Sequence, residues 1–154
     1  PIRKGYPRDG FFLRAESFYN VASNIDEMDE GGILRPRVID SYGGVSLHRQ
    51  SNGESFLALV KNRFGGEGLY LLDEPEAALS YVNQLALIYL MQDAVSDGCQ
   101  FVLATHSPIL TACPGAAIYE IDEGRLTPTD YEHLSSVQFL SHFLKAHAHL
   151  LGAE

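Results

Sequence analysis

The chain has 154 residues, 45% hydrophobic and 20% charged, with 11 basic against 20 acidic side chains and a formal charge of -9. Size and balance fit one soluble globular domain with a real core and exclude a disordered chain. The acidic excess argues against a broad nucleic-acid footprint, which relies on clustered Lys and Arg. Arg3, Lys4 and Arg8 form only a small local group of charges of the kind that is solvated. No apolar run reaches the roughly 18 residues that a membrane span needs. No charged stretch precedes a long apolar one, so no signal peptide is expected, and a cytoplasmic location follows. Cys99 and Cys113 each lie beside apolar residues and read as small buried hydrophobes rather than a disulfide framework. The chain begins at Pro1 without an initiator Met, which suggests that a further piece lies upstream.

Gly10 to Glu16 is a short apolar run after a Pro/Gly turn and reads as a strand. Ser17 is a plausible N-cap. Phe18, Val21, Ala22, Ile25 and Met28 recur at helical spacing, which predicts a helix from Ser17 to about Glu30. Between Gly31 and Arg49 the composition turns to Gly, Pro, Ser and Arg, and loop is expected, with a short strand near Val38. Ser51 to about Arg63 reads as a helix, with Phe56, Leu57, Leu59 and Val60 near one face. Ser51 and Glu54 match a capping box.

Leu69 to Leu72 is short and continuously apolar, consistent with a strand buried on both faces. Pro75 fits the first turn of a following helix, with Leu79, Val82, Leu85, Ala86, Tyr89 and Leu90 as its apolar stripe and Asp97-Gly98 as its end. Phe101 to Ala104 reads as the next buried strand, and Ile118 to Ile121 as a third. Gly124-Arg125 turns back into a short strand at Leu126, and a final helix runs from His133 to about Leu151. A strand, a helix of some twenty residues and a strand make a βαβ unit, so a parallel sheet flanked by helices is expected, within one domain of residues 1–154.

Three short stretches carry the chemistry. Asp73 and Glu74 stand where an apolar strand ends, and the C-terminal edge of an open α/β sheet is where such folds place ligands. One carboxylate can hold Mg²⁺ through water, and the other can act as a general base. Asp73, Glu74 and Glu76 also suit the positive end of a helix with no catalytic role at all. His106 follows the next apolar strand, where an imidazole can hydrogen-bond a phosphate or its attacking water. Ser51-Asn52-Gly53-Glu54-Ser55 opens a helix, a place suited to phosphate oxygens. Gly53 is poorly explained as part of a cap, since Gly inside a helix costs about 0.5–1 kcal/mol relative to Ala. His142, His147 and His149 read as a solvated face rather than a ligand set.

The order Ser-x-Gly-Glu, apolar strand with Asp-Glu-Pro, and apolar strand with Thr-His-Ser-Pro resembles the ABC-class ATPases. It is most similar to the bacterial predicted AAA-family ATPases with an SMC-type head, over about residues 10 to 130. The resemblance implies a P-loop NTPase core of ABC type that lacks its first strand and phosphate loop. It implies that Ser51 to Ser55 is the signature motif, with Ser51, Gly53 and Glu54 reaching the ATP of a partner subunit. Asp73 is then the Mg²⁺-holding acid and Glu74 the catalytic base of the Walker B pair, Ala77 to Ser80 the D-loop, and His106 the switch histidine. ATP and Mg²⁺ are the implied cofactors, and a homodimer formed through ATP is the implied assembly. Ser80 stands where many relatives have Asp, and Glu16 is the nearest candidate for the glutamine-loop position. The phosphate loop Gly-x-x-x-x-Gly-Lys-Ser/Thr is absent, so the chain alone is expected to be inactive. Two other readings remain open: a head-like module for dimerisation without catalysis, and a metal-dependent nuclease using Asp73, Glu74 and Glu76.

Overall fold

The computed structural model describes residues 9–16, 52–64 and 66–152. The predicted helix from Ser17, the loop that follows it and Ser51 lie outside the described residues. The chain divides into two compact units, Pro1–Thr105 and His106–Glu154. Among the described residues no helix is long and apolar enough to cross a membrane.

The first unit carries β1 (Gly10–Arg14), α1 (Asn52–Arg63), β2 (Leu69–Asp73), a 3-10 turn (Pro75–Ala78), α2 (Tyr81–Ser96) and β3 (Gln100–Ala104). The three strands form a parallel sheet in the order β1-β2-β3. This mixed α/β arrangement agrees with the βαβ unit read from the sequence.

One face of the sheet is built from a row of rings. Phe11, Tyr70 and Phe101 stand in register on the three strands. Phe64, just past α1, lies against them with centroid distances of 6.2 Å to Phe11, 4.9 Å to Tyr70 and 4.6 Å to Phe101. Aromatic pairs at such separations add to simple area burial. Tyr70 is fully buried, and its hydroxyl donates to the Arg63 carbonyl at 3.1 Å. Ala94 of α2 and Cys99 join the same cluster. Phe64 just past α1 and Ala94 of α2 therefore pack on the same face of the sheet.

The opposite face differs from expectation. Phe12, Leu71 and Val102 also stand in one register row, and they are 64%, 38% and 51% exposed. The apolar run Leu69 to Leu72 is thus buried on one face only: Tyr70 and Leu72 point into the core, and Leu71 does not.

The helix expected from Pro75 onward is interrupted. Leu79 is extended, with φ -123° and ψ 132°, and separates the 3-10 turn from α2. Ser80 then caps α2, its hydroxyl accepting from the Asn83 N–H at 3.3 Å. The restart resets the helical phase. The buried residues are Gln84, Leu87, Ile88, Met91 and Ala94, whereas Val82, Leu85 and Tyr89 of the expected stripe are exposed. Buried Gln84 is satisfied by donating to the Leu79 carbonyl at 3.2 Å.

The second unit holds β4 (Ile118–Asp122), β5 (Arg125–Thr129) and α3 (Ser135–Leu150). Ile118 to Ile121 pairs in an antiparallel hairpin with β5, the strand expected to turn back at Leu126, but it is largely exposed rather than buried. Glu123 and Gly124 make its two-residue turn, both with positive φ (44° and 76°), the geometry that matches strand twist. The Ser135 N–H at the start of α3 donates to Glu120 Oε1 at 3.0 Å, so a carboxylate from β4 serves one of the helix's orphan donors. Cys113 is half-buried, and burial raises its thiol pKa; Cys99 is buried.

Candidate functional site

The C-terminal edge of the parallel sheet is where the first unit gathers its polar groups. The last register row places Arg14, Asp73 and Ala104 side by side. Arg14 Nε donates to Asp73 Oδ2 at 2.7 Å, with the two side chains 54% and 22% exposed. The Arg14 pKa is raised, first by this hydrogen bond and then by the Asp73 charge, with smaller contributions from the Glu16 and Glu74 charges.

Glu74 follows with φ 48° and ψ 48°, in the left-handed region. A residue with a Cβ rarely sits there, and the conformation costs on the order of 1–3 kcal/mol unless its surroundings enforce it. Three backbone features enforce it. The Glu74 N–H donates to the Ala104 carbonyl at 2.8 Å, carrying the β2–β3 ladder one step past Asp73. Pro75, buried, fixes the entry to the 3-10 turn, and the Ala77 N–H returns to the Glu74 carbonyl at 3.0 Å. The Glu74 side chain emerges at the surface from this kink.

Glu76 is occupied from the neighbouring strand. Thr105 Oγ1 donates to its Oε2 at 2.7 Å, tying the segment after β3 to the turn after β2. This contact, the Arg14–Asp73 pair and the Glu74 backbone were not read from the sequence. Arg14 did carry a signal, as a charged side chain directly after Phe11-Phe12-Leu13 in a strand that pairs with β2.

Gly53 is buried in the first turn of α1. A Cβ there would overlap the Asn83 amide and lie 3.5 Å from the Ala78 carbonyl. Gly53 thus packs against the Ala77–Ser80 stretch of its own chain and has a local packing reason to lack a side chain. Ser55 is buried. Ser51 and the side chain of Glu54 lie outside the described residues. Within Ala77 to Ser80, Leu79 is buried and Ser80 is the α2 cap. Ser and Asp are comparable caps, so a Ser in place of Asp keeps this local function.

His106 opens the second unit, two positions after the end of β3, and is exposed. Next to it, buried Ser107 accepts from the Ile109 and Leu110 N–H groups at 3.1 and 3.2 Å, which fixes the backbone that follows. His142, His147 and His149 are exposed on α3.

Among the described residues, no group of three or more His, Cys, Asp and Glu side chains is placed to hold a metal. Mg²⁺ bound beside phosphates needs no such cage, since one carboxylate with waters and phosphate oxygens is its usual shell. Asp73 has the donor chemistry for that role, and the guanidinium on its Oδ2 is a cation already standing there.

No family model matches the chain, and no curated protein sequence does. Among solved structures, the SMC head domain from Thermotoga maritima is similar, with a TM-score of 0.48 and 16% identity over 77% of this chain and 53% of that one. The chain therefore spans about half the length of that neighbour.

Proposed function

We propose that this chain is the C-terminal part of an ABC-class ATPase head that hydrolyses ATP with Mg²⁺. The observation that carries the reading is the left-handed Glu74 immediately after Asp73 at the C-terminal edge of a parallel sheet. Strained non-glycine backbone held by its surroundings concentrates at functional sites. Two adjacent carboxylates, one at the strand end and one on the kinked residue itself, suit two separate roles.

In this reading Asp73 would hold the metal, which would supply charge stabilisation for the phosphoryl oxygens. Glu74 accepts a proton from the attacking water. His106 hydrogen-bonds the terminal phosphate. Ser51, Gly53 and Glu54 reach the nucleotide of a second head, so turnover takes place in a homodimer. The phosphate loop, absent from these 154 residues, is supplied by another segment.

A second reading, a head-like interaction module without catalysis, is favoured by one observation. Gly53 has a packing role within its own chain and needs no nucleotide to explain it. Phosphate release from ATP by the complete protein separates the two. The ATPase reading expects Mg²⁺-dependent turnover that Asp73→Asn lowers. No turnover by the complete wild-type protein would favour the interaction module.

A further inference from the structure

Asp73 already has a cation. Arg14 closes β1 in the register row of Asp73, and its Nε lies 2.7 Å from Oδ2. Arg14 is more than half exposed and remains held by this bond. The carboxylates of Glu16 and Glu74 also act on its charge, so it serves more than one acid at this edge.

We propose that Arg14 is an internal counter-cation that restrains metal loading at Asp73: divalent metal binds there only as the Arg14–Asp73 pair opens. The inference rests on the assignment of Asp73 as the metal-holding acid. Its physical basis is short. A guanidinium in contact with one carboxylate oxygen removes a lone-pair site from the metal. It also places a positive charge a few ångströms from a doubly charged ion, a repulsion that is only partly screened at a half-exposed site. When the metal is absent, the same contact neutralises Asp73, so that the paired acids do not repel one another. Arg14 is thus a tuning residue for the metal and not a catalytic one.

The test is Mn²⁺ binding to the complete protein with a non-hydrolysable ATP analogue at low ionic strength, read by electron paramagnetic resonance, with a thermal melt of each variant alongside. Arg14→Gln removes the charge, and the restraint predicts about tenfold tighter Mn²⁺ binding, the ratio that follows from relieving roughly 1.4 kcal/mol of repulsion. Arg14→Lys keeps the charge and stays close to wild type; Arg14→Met removes the charge while keeping an apolar stem, and is predicted to tighten Mn²⁺ binding about as much as Arg14→Gln, which covers the case in which Arg14→Gln fails to fold. Arg63→Gln removes the same charge beside Asp9 at the other end of β1, and leaves Mn²⁺ binding unchanged. Asp73→Asn weakens the binding with or without Arg14. Equal Mn²⁺ affinity in wild type and Arg14→Gln, with loss in Asp73→Asn, would overturn the restraint while keeping Asp73 as the metal acid. Binding that Asp73→Asn does not weaken, or no binding by either wild type or Arg14→Gln, would overturn the restraint together with the metal assignment on which it rests.

Discussion

Thr105 Oγ1 donates to Glu76 Oε2 at 2.7 Å, joining the residues that follow β3 to the turn that follows β2. A partly buried hydroxyl on a carboxylate is a charge-assisted bond, stronger than a neutral one. Thr105→Val is expected to destabilise the chain by about 1–2 kcal/mol. Urea denaturation of Thr105→Val, Glu76→Gln and the double variant measures the coupling. If the two single losses simply add, the bond contributes nothing.

Ser80 restarts the helix that Leu79 breaks. Ser80→Ala is expected to cost about 1 kcal/mol, and Ser80→Asp to be close to neutral. Chemical denaturation of the two variants checks the order. A destabilised Ser80→Asp would mean that the hydroxyl does more than cap α2.

Leu71 and Leu72 are adjacent and lie on opposite faces of β2, with Leu71 38% and Leu72 1% exposed. Leu72→Ala is expected to cost about 2–5 kcal/mol, the range for emptying a packed core site, whereas Leu71→Ala costs well under that. Thermal melts of the pair decide it. Equal losses would show that the Phe12–Leu71–Val102 face is buried in solution.

These residues also mark what the sequence does and does not disclose. Strand positions, parallel pairing and α1 follow from apolar runs, glycine breaks and the length of the crossover. The run Leu69 to Leu72 could not tell a one-sided strand from a two-sided one, because every residue in it is apolar. The phase of α2 is not legible in periodicity because its sequence is apolar on most sides, so the restart at Ser80 selects the buried stripe. Ile118 to Ile121 alternates poorly, and its hairpin is decided by the Glu123-Gly124 turn. Asp73, Glu74 and His106 were legible as residue types just after apolar runs. Their surroundings were not, because Arg14 and Asp73 meet across 59 positions, and Glu74's backbone is set by bonds to β3.

Gly53 separates packing from ligand approach. In Gly53→Ala the Asn83 amide must turn aside, but it ends a short flexible side chain, and Ala gains helix propensity of about 0.5–1 kcal/mol. Stability is therefore expected to stay within about 1 kcal/mol of wild type. In the complete protein the same change is expected to weaken ATP-dependent dimerisation if a partner's phosphate approaches this backbone. Sedimentation with and without ATP reads that effect. An unchanged dimer would leave Gly53 with its packing role alone.

The central claim is that Glu74 is the base of an ATPase. Glu74→Gln in the complete protein keeps the shape of the side chain and removes its basicity. Turnover, measured as phosphate release under saturating Mg-ATP, is expected to fall by about 10²–10⁴-fold while ATP binding persists. Wild-type turnover in Glu74→Gln would contradict the claim and leave Glu74 as an acid at the start of a turn.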